Sequence, residues 1–180
     1  MDRRQSLIND LMQLKPFDAA EAAHRERMLT LANVAGDPFS RTHFEPGHFT
    51  GSAFILSPDG GSLLLIYHAK LHRWLQPGGH VEPGDESVAA AAVREVVEEV
   101  GITSLDGEIS GVFDVDIHPI PARKAEPLHE HFDVRFLFRA TDRSAVAGSD
   151  AAAVRWVPIE QVTAELTDAS VMRALAKLRR

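Results

Sequence analysis

Apolar residues recur every three to four positions in some stretches of this chain and every two in others, the periods of a helix face and a strand face. Residues 3–14 follow the longer period through Leu7, Ile8, Leu11, Met12 and Leu14, which predicts a helix. Pro16 interrupts it, and Asp18 is placed to cap a second helix over 18–35. Gly36, Pro38, Pro46 and Gly47 mark 36–48 as a loop. Phe49–Leu56 and Leu63–His68 are strand-like, and the turn Ser57-Pro58-Asp59-Gly60-Gly61 between them predicts a hairpin. Trp74-Leu75-Gln76 is a short extended piece ended by Pro77-Gly78-Gly79, and 86–100 read as a helix stopped by Gly101.

Further along, a strand is expected at 109–117 and a proline-rich loop from His118 to Pro127. Residues 128–140 alternate, with Leu128, Phe132, Val134, Phe136 and Phe138 on one face and His129, His131, Asp133 and Arg135 on the other. A short strand at 154–157 precedes a last helix over about 168–179. Its Val171, Met172, Leu175 and Leu178 face inward, and Lys177, Arg179 and Arg180 suit the negative end of the dipole. Strands mixed with helices at both ends and one in the middle predict an α/β fold, a mixed sheet covered on both faces. No repeat or long linker divides the chain. The expectation is a single domain over 1–180, with 1–48 as a helical N-terminal extension packed on it.

With 180 residues, 44% hydrophobic and 25% charged, the chain can bury one sizeable core. A net charge of −7 argues against a general nucleic-acid binder, which needs a basic surface. It leaves room for a small phosphate substrate reached through a metal ion. The absence of cysteine removes disulfides, thiolate zinc sites and cysteine nucleophiles, and it suits a reducing cytoplasm, the expected location. The N-terminal stretch has no apolar core of a secretory leader, and the longest apolar run, Leu63 to Tyr67, is strand-sized, so no membrane partner is expected.

The chemistry concentrates in Pro77 to Ile102, PGGHVEPGDESVAAAAVREVVEEVGI. Glu95, Glu98 and Glu99 sit at i, i+3 and i+4 on one helical stripe, with Val88, Ala92, Val93, Val96, Val97 and Val100 expected opposite. Three carboxylates on one stripe repel one another, and near a helix C-terminus they oppose the dipole. A hard divalent cation with oxygen ligands offsets that cost. Gly78-Gly79 lets the backbone pass close to such a site. Arg94, about two turns after Glu86, is placed to pair with it and anchor the loop.

This segment resembles the Nudix box, G-x5-E-x7-R-E-U-x-E-E-x-G-U, where U is a bulky aliphatic. Arg94 to Ile102 matches the second half, and Glu86 stands at the right distance from Arg94. Six residues rather than five separate Gly79 from Glu86, a one-residue insertion in the loop. The resemblance implies an α/β/α sandwich and a hydrolase of a nucleoside diphosphate linked to another moiety X. It implies that Glu95, Glu98 and Glu99, with Gly79, bind Mg2+ or Mn2+, with Arg94 and Glu86 in support. It also implies a small nucleotide substrate, with RNA disfavoured by the acidic charge. ADP-ribose hydrolases of this family carry a proline some sixteen residues past the box, and Pro119 lies one residue from there. A non-catalytic nucleotide-sensing domain is the alternative. An isomerase on the same fold normally uses a cysteine, which this chain lacks.

Glu98 is the first candidate for general base. The second is the strand face of His129, His131 and Asp133, rich in groups that titrate, bind phosphate or ligate metals, weighed evenly against a solvated outer face. Arg73, with Lys70 and His72, could reach substrate phosphates but is more simply solvated. His48 and His118 stand in loop contexts and are not favoured. Capping the sheet, lining the pocket and forming a homodimer contact are the roles open to residues 1–48.

Overall fold

The computed structural model describes residues 2–106, 111–148 and 152–179. Along these run α1 (Arg3–Gln13), α2 (Ala19–Ala32), β1 (Gly47–Leu56), β2 (Ser62–His68), β3 (Arg73–Leu75), β4 (Gly78–His80) and α3 (Val88–Val100). Then come β5 (Leu105–Asp106), β6 (Val112–Ile120), β7 (His129–Ala140), β8 (Val154–Pro158), a 3-10 turn (Ile159–Gln161) and α4 (Ala169–Leu178). The strand order is β3-β2-β1-β7-β5, with β4 on β1, β6 on β7 and β8 on β2. This is the expected α/β class, a mixed sheet with helices on both sides and the two N-terminal helices present.

Side-chain oxygens set the helix starts. Asp18 accepts the Glu21 N–H at 2.8 Å, Ser87 the Ala90 N–H at 3.0 Å and Asp168 the Val171 N–H at 2.9 Å. Each bond satisfies a donor that the first helical turn leaves open. The Ser87 cap places the start of α3 two residues after the expected 86, because serine accepts that hydrogen bond from outside the helix.

The chain forms two compact units. The first comprises Met1–Ser52, Gly79–Ala92 and Gly111–Phe136. Here α2 packs against α1 and β6, and Leu7, Leu11, Met28, Leu31, Phe49 and Phe132 are buried. Arg4 donates to the carbonyls of Ala32 at 3.2 Å and Val34 at 2.8 Å, closing the end of α2. β6 and β7 run antiparallel from Val112↔Phe136 to Ile120↔His129. A Cβ added at Gly51 would fall 2.7 Å from the Val88 carbonyl oxygen and 3.3 Å from the Ala92 nitrogen. Only glycine lets α3 begin this close to β1.

The second unit comprises Ala53–Gly78, Val93–Ser110 and Leu137–Arg180. β2 is its axis, antiparallel to the end of β1 (Leu56↔Leu63), to β3 (Ile66↔Leu75) and to β8 (Ile66↔Val154). Leu63, Leu64, Leu65, Val96, Val100, Val171 and Leu175 are buried. α3 ends at Gly101, whose φ of 68° reverses the chain at little steric cost. The Val146 and Gly148 N–H groups then donate to the last carbonyls, Val100 at 3.0 Å and Glu99 at 2.7 Å.

Several sequence expectations are corrected. β1 begins at Gly47, so His48 is a strand residue. β6 continues through His118 and Pro119 to Ile120, and the proline falls opposite Glu130. Leu128 precedes β7 and is 66% exposed, so it does not share the inward face of Phe132. The other face of β7 is no solvated surface either, since His129, Asp133 and Arg135 are buried. β4 and β5 are too short to carry a periodic signal. Residues 109 and 110 of the expected strand, and Arg180 of the last helix, lie outside the described residues.

Candidate active site

The helical spacing of Glu95, Glu98 and Glu99 holds, because α3 is continuous through all three. Their position relative to the valines differs from the expectation. Glu95 and Glu99 are half-buried along the side that Val88, Ala92 and Val96 bury, whereas Val97 is 41% exposed. At about 100° per residue, Val96 lies nearer to Glu99 than to Val97's outward direction, so the stripe borders the buried face instead of opposing it. The Glu95 side chain is 16% exposed and that of Glu98 57%.

Two contacts offset the crowding of negative charge. Arg94 Nη1 donates to Glu95 at 2.9 Å and to Glu98 at 3.1 Å, bridging neighbouring carboxylates. The Gly78 N–H donates to Glu99 Oε2 at 2.9 Å. The glycine turn is itself fixed, because the Pro77 carbonyl accepts the Ala53 N–H at 2.9 Å. Gly79 follows at the next peptide. The three carboxylates on this helix offer the oxygen ligands that a hard divalent cation takes, but among the described residues their oxygens are not gathered at one point as the ring nitrogens of His48, His80 and His131 are.

Glu86 is exposed, just ahead of the Ser87 cap. The longer loop before it closes on itself. Asp85 Oδ2 accepts the Glu82 N–H at 2.7 Å, and the Glu82 carbonyl accepts the Asp85 N–H at 3.1 Å. Arg73 donates to the carbonyls of Ala164, Glu165 and Thr167 at 3.0–3.4 Å, ahead of α4.

The polar face of β7 splits into two groups, both in the first unit. Asp133 accepts from Thr50 Oγ1 at 3.1 Å, Ser52 Oγ at 2.9 Å and Arg135 Nε at 2.8 Å. Arg135 also reaches Asp114 at 3.2 Å and Asp116 at 3.5 Å. Burial works against the Arg135 charge, but the three carboxylates outweigh it and raise its pKa. Asp133 therefore anchors an ion network.

Histidines form the other group. The His131 ring lies 4.8 Å from His48, 5.2 Å from His80, 5.6 Å from His118 and 5.4 Å from His129. Burial, then repulsion from these rings, pushes the His131 pKa down to about 2. Burial likewise pushes His48 down to about 4, against the hydrogen bond to the His43 carbonyl. Burial also works against a charge on His118, but its bond to Asp116 and the nearby carboxylates outweigh this and raise its pKa. His129 Nδ1 bonds the Pro127 carbonyl at 2.8 Å. The sequence did not single out His48 or His80. Period two was there to find: His48, Thr50 and Ser52 alternate on one face of β1, and all three are buried. A cavity of about 350 Å³ beside β8, lined by Arg155, Trp156, Gln161, Thr163 and Glu165 among others, involves none of these groups.

A family model for the NUDIX domain matches residues 48–177. Human diphosphoinositol polyphosphate phosphohydrolase 3-alpha is 47% identical over 47 residues, 26% of this chain and 28% of that protein. A probable DHNTP pyrophosphohydrolase of Lactococcus lactis is 34% identical over 97 residues, 53% of this chain and 56% of that protein. The chain thus spans between about a quarter and just over half the length of these relatives. The structure of the E. coli dihydroneopterin triphosphate pyrophosphohydrolase shares the fold, with a TM-score of 0.59 and 23% identity over 72% of this chain and 92% of that one.

Proposed function

Because this chain belongs to the NUDIX family, whose model covers residues 48–177, we propose that it is a divalent-metal-dependent hydrolase cleaving a diphosphate linkage in a nucleotide-like small molecule. One observation carries this most directly. Three carboxylates share a stripe of α3, and the Gly78 amide and the Arg94 guanidinium hold them.

In this mechanism Glu95, Glu98 and Glu99 hold Mg2+ or Mn2+, with the backbone of Gly79 alongside in the chain. When bound, the ion draws charge from the phosphoryl oxygens and eases deprotonation of water. Glu98, the more exposed of the two glutamates that Arg94 bridges, acts as general base. Its carboxylate takes the proton as the water oxygen bonds to phosphorus and the bond from phosphorus to the bridging oxygen breaks. Arg94 orients Glu95 and Glu98, the Gly78 N–H orients Glu99, and Glu86 supports the loop. Asp133 is a weaker candidate for the base, because Thr50, Ser52 and Arg135 engage its oxygens. Arg73 is a weaker candidate for a phosphate ligand, since carbonyls ahead of α4 engage its Nη1.

For the substrate we propose a nucleoside diphosphate joined to a second group, of the ADP-ribose or nucleotide-sugar kind. Pro119 supports this choice, and the acidic net charge disfavours RNA. The relatives named for dihydroneopterin triphosphate and diphosphoinositol polyphosphates make phosphoanhydrides outside that group the natural comparison set.

The test is phosphate or nucleotide release from a panel of these anhydrides with Mg2+, with Mn2+ and with chelator. Chelator-sensitive cleavage of one class supports the proposal and names the substrate. No cleavage of any member by metal-loaded protein would overturn it and favour a nucleotide-sensing role.

A further inference from the structure

Three neighbouring strands each bring one histidine to a common point. His48 stands on β1, His80 on β4 and His131 on β7, and both β4 and β7 pair with β1. One ring nitrogen from each lies within 4.8 Å of the other two. His48 is 1% exposed, its Nδ1 lies 3.2 Å from the His43 carbonyl, and its Nε2 is buried without a hydrogen-bond partner among the described residues. A hydrogen bond from Nδ1–H to a carbonyl leaves the lone pair on Nε2, the form in which an imidazole binds a metal. A buried acceptor without a donor is rare and costs stability, and a cation at this point would satisfy it.

We propose that His48, His80 and His131 form a binding site for one zinc-class divalent ion, distinct from the glutamate stripe of α3.

Donor type decides the class of ion. Three imidazole nitrogens favour zinc and its first-row neighbours over magnesium or calcium, which take oxygen ligands. Zinc accepts three histidines and a fourth ligand from solvent or a bound molecule. At zinc–nitrogen distances of about 2.0–2.1 Å, tetrahedral ligands sit roughly 3.3 Å apart. The half-buried His80 and His131 rings close the remaining gap by rotation about their side-chain bonds. In the adjoining buried network, among the described residues, Asp114, Asp116 and Asp133 pair with Arg135, and His24 and His118 stand beside Asp116. The rings of His118, bonded to Asp116 at 3.2 Å, and His129, bonded to the Pro127 carbonyl, lie 5.6 and 5.4 Å from that of His131. A bound ion would tie β1, β4 and β7 together, and because His80 follows Gly79 it would also stiffen the glycine turn.

The test uses tag-free, chelator-stripped protein. Zinc is added, the protein is desalted in millimolar Mg2+, and retained zinc is measured; cobalt is then substituted for its visible spectrum. Wild type should retain one zinc per chain and give the intense absorption of four-coordinate cobalt. His80→Asn and His131→Gln, checked for native circular dichroism, should weaken zinc binding at least roughly a hundredfold, beyond the loss expected for an outer partner. Glu98→Gln and Glu99→Gln should leave it unchanged. Folded wild type that retains no zinc would overturn the proposal. So would zinc loss in the glutamate variants with retention in the histidine ones, a result that would leave the hydrolase reading standing.

Discussion

The Gly78 N–H donates to Glu99 Oε2 at 2.9 Å, joining the glycine turn to the last turn of α3. A glutamine at position 99 keeps an oxygen for that hydrogen bond, removes the negative charge and replaces the second oxygen with an amide NH2. Glu99→Gln is therefore expected to melt within a degree or two of wild type and to lose at least roughly a hundredfold in turnover, the scale for losing a metal ligand. Glu98→Gln should behave likewise, by losing the base. Calorimetry beside steady-state kinetics checks both, and wild-type turnover in the two variants would refute the assignment.

Gly51 governs how closely α3 sits on β1. A methyl group there meets the Val88 carbonyl at 2.7 Å, a rigid backbone neighbour. Gly51→Ala should cost about 1–3 kcal/mol, the range for overpacking a filled core. Urea unfolding would measure it, and a stability equal to wild type would show that the helix shifts freely.

The residues of α3 were legible in the sequence because a helix fixes which side chains share a stripe. That held for Glu95, Glu98 and Glu99, but the stripe alone could not say which side of it was buried. The expectation set Val88 and Ala92 opposite the carboxylates, yet at about 100° per residue both lie within about 60° of Glu95, and in the structure Val97 is exposed and Glu95 half-buried. The polar face of β7 stayed open between a ligand-bearing and a solvated face for a related reason. Alternation distinguishes two faces of a strand, not which of them is covered, and an ion network lets aspartate and arginine lie inside. His48 and His80 were missed because their partners lie on other strands. His80 is in a three-residue strand, and Pro46-Gly47 beside His48 reads as loop.

Among the described residues, Arg135 pairs with Asp114, Asp116 and Asp133, and His118 and His24 stand beside Asp116. Breaking a buried pair from one side strands the remaining charges, at a cost of about 3–5 kcal/mol. Arg135→Met is expected to lose that much in urea unfolding at pH 7. A loss of under about 1 kcal/mol would mean that water reaches the network.

Histidine burial couples the stability of the fold to pH. His48 falls from its ordinary 6.5 to about 4 in the folded chain, and His131 to about 2. Between these values the unfolded chain takes up protons that the folded chain excludes, so stability increases with pH there. Their contribution is complete above about pH 6.5. It is lost as the pH falls, for His48 down to about 4 and for His131 further. His118, with a raised pKa, acts in the opposite sense, since its contribution is present below 6.5 and lost as the pH rises through its folded value. Urea midpoints measured in chelator from pH 7.5 to 4.5 should therefore fall with acid in wild type. The fall should be shallower in His131→Leu, which has no imidazole to charge. Equal slopes in the two proteins would show that the ring takes up its proton without unfolding.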